Sequence, residues 1–136
     1  IDRAFPEVIR GCAKTPRPDQ DGTWITPEMI AAYERLHCLR IAHSVEAWRD
    51  DRLVGGAYGV DSGGAFSAES MFYLEPWASK LALLHLLEHL RSRGLEWIDI
   101  QVMTPHMLQL GAREIPRREF LALLRRTRRK ERRLFD

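Results

Sequence analysis

Apolar residues recur along this chain with two different periods, and the switches between them divide it into helices and strands. Between residues 4 and 13, Phe5, Val8, Ile9 and Cys12 fall at helical spacing. Residues 15–22 (TPRPDQDG) are rich in Pro and Asp and read as a loop. Thr26-Pro27-Glu28 opens a second helix: Thr caps it, Pro takes the first helical position, and Glu suits the positive end of the dipole. That helix should run to about Leu39, with Met29, Ile30, Tyr33 and Leu36 on one side. The period then drops to two. Residues 43–49 set Val45 and Ala47 on one face and Ser44, Glu46 and Trp48 on the other. Residues 53–60 are interrupted by glycines, a sign of close backbone approach or a bulge. Asp61-Ser62-Gly63-Gly64 is a turn, and 65–73 is a third strand of an antiparallel meander. Residues 78–93 carry the strongest helical stripe, Leu83, Leu86, Leu87 and Leu90, which Gly94 ends. A strand over 96–102, a short helix over 105–110 and a final helix from Pro116, with Phe120, Leu121, Leu123 and Leu124 on its apolar side, complete the reading. Three strands in a run, then helix, strand and helices, argue an α+β fold.

Composition narrows the class. The 136 residues suit one domain with one sizeable core. Hydrophobic residues make up 45% and charged residues 29%, the balance of a soluble globular protein. No apolar run approaches the roughly 20 residues needed to span a bilayer. The opening stretch already carries Asp2, Arg3, Glu7 and Arg10, unlike a signal peptide. A cytoplasmic protein without membrane contact is therefore expected. The chain begins with Ile rather than Met, as a fragment or a shortened homologue would.

Cys12 and Cys38 lack CxxC or metal spacing and read as reduced thiols. His85 and His89 are four apart on the Leu-rich helix but lack a third ligand, so no metal is expected. Charge is distributed unevenly. From residue 113 onward there are ten Lys and Arg against four Asp and Glu, while the first 112 residues are net acidic. A basic tail suits a polyanion such as RNA, and an acidic body suits a cationic substrate.

Three polar residues stand out inside apolar strand patterns. Asp99 and Gln101 are two apart, so a strand would present both on one face, with Ile98, Ile100 and Val102 on the other. Glu69 lies mid-strand with Ser67 and Met71 on its side. Such groups are costly unless paired. By pattern alone they are either satisfied structural groups or a site.

Four blocks give these residues a context: GTWIT (22–26), HSVEAWRDDRLVGGAYGV (43–60), ESMF with ASK (69–72 and 78–80), and IDIQ, TPH and LGAREIPRREF within 98–120. In order and spacing they resemble the leucyl/phenylalanyl-tRNA–protein transferase family over nearly the whole chain. The resemblance implies a C-terminal domain with the GNAT (N-acetyltransferase-like) fold, here residues 1–136, without the family's smaller N-terminal domain. It implies transfer of Leu or Phe, sometimes Met, from aminoacyl-tRNA to proteins beginning with Arg or Lys, which marks them for degradation. It assigns the catalytic pair to Asp99 and Gln101, with Gln101 holding the attacking amine or the reacting carbonyl and Asp99 orienting it. Glu69 matches a pocket carboxylate that anchors the cationic acceptor or the aminoacyl adenosine. Ala57, Phe66, Leu83, Leu86, Leu90 and Ile98 match a hydrophobic pocket for the amino acid, and each is equally readable as plain core. Trp24 is a candidate to stack on the terminal adenine, or else a loop residue covering the core. Arg125, Arg126, Arg128, Arg129 and Lys130 would touch tRNA phosphates, or form a solvated helix end. The charged tRNA is the co-substrate, no cofactor is implied, and a monomer is expected.

The chain departs from the family pattern at several points. Where the family has GESMFSR, this sequence has Ala68-Glu69-Ser70-Met71-Phe72-Tyr73-Leu74. Trp77 precedes ASK where a small polar residue is common, and Ala57 stands where a larger apolar residue is frequent. These changes bear on amino-acid preference and acceptor recognition. Two other readings compete. An acetyl-CoA-dependent N-acetyltransferase needs a glycine-rich phosphate nest before a helix, and the stretch before residue 78 has no glycine. A non-catalytic RNA-binding homologue is the other; retention of Asp99 and Gln101 argues against it.

Overall fold

Phe5, Val8, Ile9 and Cys12, the stripe read from the sequence, are all buried on helix α1 (Phe5–Lys14). The computed structural model describes residues 1–16 and 22–136. The loop expected over 15–22 therefore lies largely outside the described residues. Helix α2 (Pro27–Cys38) starts where its cap predicts: Thr26 Oγ1 accepts the Met29 N–H at 3.3 Å. The expected meander follows as β1 (Ala42–Arg49), β2 (Arg52–Asp61) and β3 (Phe66–Tyr73), antiparallel with β2 in the middle. Helices α3 (Ala78–Ser92), α4 (Pro105–Gln109) and α5 (Arg117–Arg128) complete the α+β order.

The glycines of β2 bring both helices onto the sheet. A Cβ at Gly55 would stand 2.7 Å from Ala78 Cβ of α3, and one at Gly56 would stand 3.1 Å from the Val8 side chain of α1. Successive residues of a strand face opposite ways, so α3 and α1 cover opposite faces of the sheet. Gly59 sits at the predicted irregularity: the β2–β3 register shifts between Tyr58 and Gly59, and a Cβ there would be 2.3 Å from the Ser67 carbonyl.

Two apolar clusters fill the two faces. On the α3 side Val45, Ala57, Phe66, Ala82, Leu86, Leu90 and Leu95 pack with Leu134 and Phe135. On the α1 side Phe5, Val8, Ile9 and Cys12 pack with Ile25, Ala42, Tyr58 and Phe72. Cys12 is buried and Cys38 exposed, and no disulfide joins them.

The strand expected over 96–102 is not formed. Asp99 alone bridges to β3, in parallel with Ser67: its N–H donates to the Phe66 carbonyl at 3.0 Å, and its carbonyl accepts the Ala68 N–H at 2.8 Å. Two residues later the chain turns. Gln101 takes φ +63°, its N–H donates to Asp99 Oδ1 at 2.8 Å, and the Val102 N–H donates to the Ile100 carbonyl at 2.7 Å. Local side-chain and turn bonds thus replace the sheet ladder. Val102, read on the same strand face as Ile98 and Ile100, is 71% exposed.

Candidate active site

The outer edge of β3 gathers polar groups from three parts of the chain. Glu69, half-buried on β3, accepts a hydrogen bond from Gln101 Nε2 at 2.8 Å. It also accepts one from the Tyr33 hydroxyl of α2. Burial, the Glu69 charge and that hydrogen bond push the Tyr33 phenol up to about 12. Tyr33 is thus a neutral donor across the ordinary pH range. Its ring meets Tyr58 edge-on, with centroids 5.2 Å apart, which fixes it over the sheet. The sequence reading assigned Tyr33 only to the apolar side of α2. A helical period registers a tyrosine's ring and is blind to where its hydroxyl ends.

Gln101 reaches Glu69 because its backbone is left-handed, a region that a non-glycine residue enters at some cost. Asp99 holds that conformation through its Oδ1 bond to the Gln101 N–H. The pair is therefore together, but through a turn rather than by strand alternation. A group that donates to a carboxylate must be the NH2 end of the amide. This leaves Gln101 Oε1, on an exposed residue, as an acceptor for an incoming N–H.

The apolar candidates are placed differently. Ala57, Phe66, Leu83, Leu86 and Leu90 are core residues, none more than 2% exposed. Leu90 and half-buried Ile98 also border a cleft of about 350 Å³, whose other walls are Leu87, Arg91, Leu95, Glu96 and Trp97. Ile98 and Trp97 of this cleft pack against the α3-side core, and Ile98 immediately precedes Asp99 in the chain. Trp24 is half-buried against the α1-side core. Arg125, Arg126, Arg128, Arg129 and Lys130 are all exposed at the end of α5. That helix is fixed through buried Thr127, whose hydroxyl accepts the Trp97 Nε1–H at 3.0 Å, and through Phe120, edge-on to Trp97 at 6.1 Å. His89, considered above as a ligand, instead bonds the Leu134 carbonyl through Nε2 at 2.8 Å. Among the described residues no helix is long and apolar enough to cross a membrane.

Fold and site together define an α+β protein with two carboxylates, an amide and a phenol gathered at the open edge of an antiparallel sheet. The sequence profile of the leucyl/phenylalanyl-tRNA protein transferase family matches residues 1–125, and the chain belongs to that family. It is 58% identical over 125 residues to the leucyl/phenylalanyl-tRNA–protein transferase of Anaeromyxobacter sp. (strain K), covering 92% of this chain and 54% of that relative. It is 56% identical over 124 residues to that of Syntrophotalea carbinolica, covering 91% of this chain and 54% of the relative. It is 54% identical over 125 residues to that of Chromobacterium violaceum, covering 92% and 53%. The chain thus spans about half the length of the curated relatives it matches.

Proposed function

We propose that this chain carries the aminoacyl-transfer centre of such an enzyme, moving Leu or Phe, and sometimes Met, from tRNA to the α-amine of proteins beginning with Arg or Lys. The acceptors are thereby marked for degradation. The observation that carries the reading is the Tyr33–Glu69–Gln101 chain of hydrogen bonds beside Asp99. We read the fold as GNAT-like, and residues 1–136 as one acyltransferase domain acting as a cytoplasmic monomer.

The chemistry is aminolysis of an ester. The neutral amine nitrogen attacks the aminoacyl carbonyl carbon and a C–N bond forms. The ester C–O bond then breaks, and the ribose 3′ oxygen leaves with the proton that the amine gives up. Gln101 Oε1 accepts an amine N–H and aims the lone pair. Glu69 attracts the cationic acceptor and stabilises positive charge as it develops on the attacking nitrogen. Tyr33 holds Glu69 in place, and Asp99 holds the Gln101 turn. Since an amide is no base, much of the rate comes from positioning two activated partners.

The cleft beside Ile98 suits the donor's apolar side chain, within the size range of small-molecule sites. The exposed arginines after Leu124 suit tRNA phosphates, and Trp24 suits the terminal adenine. No cofactor is needed beyond the charged tRNA. The acetyl-CoA reading is disfavoured by the turn into α3, where Glu75-Pro76-Trp77 offers no glycine nest for a pyrophosphate. The test is a transfer assay with tRNA charged with labelled Leu or Phe and peptides beginning with Arg, Lys or Ala. Label on the Arg and Lys peptides alone supports the reading. No label on any peptide overturns the claim that these residues carry transfer.

A further inference from the structure

The residues that follow α5 are not a loose tail. Leu134 is fully buried and Phe135 is 6% exposed, and both belong to the α3-side core together with Leu90, Leu95 and Phe66. Ile98 and Trp97 pack against the same cluster. Four of these residues, Leu90, Leu95, Trp97 and Ile98, also line the cleft, and Ile98 immediately precedes Asp99 in the chain. The cleft's inner wall is therefore one side of a layer whose other members include Leu134 and Phe135.

Phe135 is clamped in place. Its ring stacks on His43 of β1 at 3.8 Å and 9°, and on His89 of α3 at 5.2 Å and 28°. It also meets Phe66 at 5.6 Å. His43 is itself fixed, with Nδ1 2.7 Å from Asp2 Oδ2 and Nε2 3.1 Å from the Arg40 carbonyl. The strap carrying Phe135 is tied at His89 to the Leu134 carbonyl and at Arg93 to Asp136. All of this strap lies beyond residue 125, where the family match ends.

We propose that Phe135 is a specificity-determining residue: it backs the cleft and sets how bulky an aminoacyl side chain the donor site accepts. This rests on the reading of the cleft as that site. Ala57 strengthens the case. It is a small residue in the same buried layer, whose volume is filled by larger members, Phe135 among them. Removing a close-packed ring leaves space that neighbours refill only in part.

The test compares binding of amide-linked 3′-aminoacyl-adenosine analogues carrying Leu, Phe or Trp to the wild-type chain, Phe135→Ala and Phe135→Leu, with a thermal melt of each. Phe135→Ala should improve affinity for the Trp analogue relative to the Leu analogue by about tenfold, since apolar pockets discriminate by one to two orders of magnitude per group. Phe135→Leu, the milder change, should shift the ratio the same way by less, and it decides the matter if the alanine variant does not fold. An unchanged ratio in a folded variant overturns the proposal and leaves the transferase reading intact. An equal gain for all three analogues also overturns it, because that marks a plug rather than a wall. A wild-type chain that binds none of the three overturns the donor-site reading and this proposal with it.

Discussion

Gln101 Nε2 lies 2.8 Å from Glu69 Oε1 although 32 residues separate them in the chain. The hydrogen bond joins an edge strand to a turn that a neighbouring carboxylate holds in a left-handed conformation. Everything proposed about catalysis depends on it, and it can be broken without disturbing the core.

Gln101→Ala should lower transfer by about a hundredfold, the usual loss when one preorganised hydrogen-bonding group is removed from a reacting centre. The fold should lose only about 1 kcal/mol, the net worth of the one hydrogen bond to Glu69, because Gln101 is otherwise exposed. Steady-state kinetics and a thermal melt on the same protein check both halves. A variant that transfers at the wild-type rate removes Gln101 from the mechanism.

Tyr33 gives a pH signature. Burial and the Glu69 carboxylate raise its folded pKa to about 12, above the value near 10 of a solvated tyrosine. The sign follows from linkage: a raised pKa favours the protonated form in the folded state. The contribution of Tyr33 to stability is thus complete below pH 10 and is lost as the pH rises from 10 through 12. The urea midpoints of wild type and Tyr33→Phe should accordingly draw together over that interval. A constant separation would mean that the phenol does not face the carboxylate in solution.

Neutralising Arg125 and Arg126 together should weaken tRNA binding and flatten its salt dependence, by roughly 0.7–0.9 in logarithmic slope for each phosphate no longer neutralised. Binding of an aminoacyl-adenosine, which has no phosphate backbone, should not change. Filter-binding titrations at several salt concentrations separate this outcome from a general loss of structure.

Gly55→Ala should destabilise the fold by about 1–3 kcal/mol, because the new methyl would meet Ala78 Cβ at 2.7 Å with backbone close behind it. Urea unfolding measures the loss. An unchanged midpoint would show that α3 can retreat from the sheet freely.

Much of this architecture was legible in the residues. The stripes of α1 and α3, the Thr26 cap and the period-two strands each obey one local rule, and each element lies within a few residues of its expected place. The glycines of β2 signalled close approach, and two helices and a register shift account for them. The stretch around Asp99 misled for a physical reason. Ile98, Ile100 and Val102 alternate as a strand does, yet an Asp two residues before an amide N–H can close a turn instead, and pattern alone does not say which wins. Of the site, Asp99, Gln101 and Glu69 could be named as anomalous polar positions. Tyr33 could not be, and neither could the role of Phe135, because both depend on contacts between segments distant in sequence.

The narrow central strand has one more consequence. Because Gly55 and Gly56 admit a helix on either side, the backbone of β2 is sealed from water on both faces as well as paired along both edges. Its amide protons should therefore be the last in the molecule to exchange with deuterated solvent, released only by global unfolding. The turn at Gln101 has no such shelter and should exchange early. The polar edge of the sheet can then rearrange while the central strand stays locked.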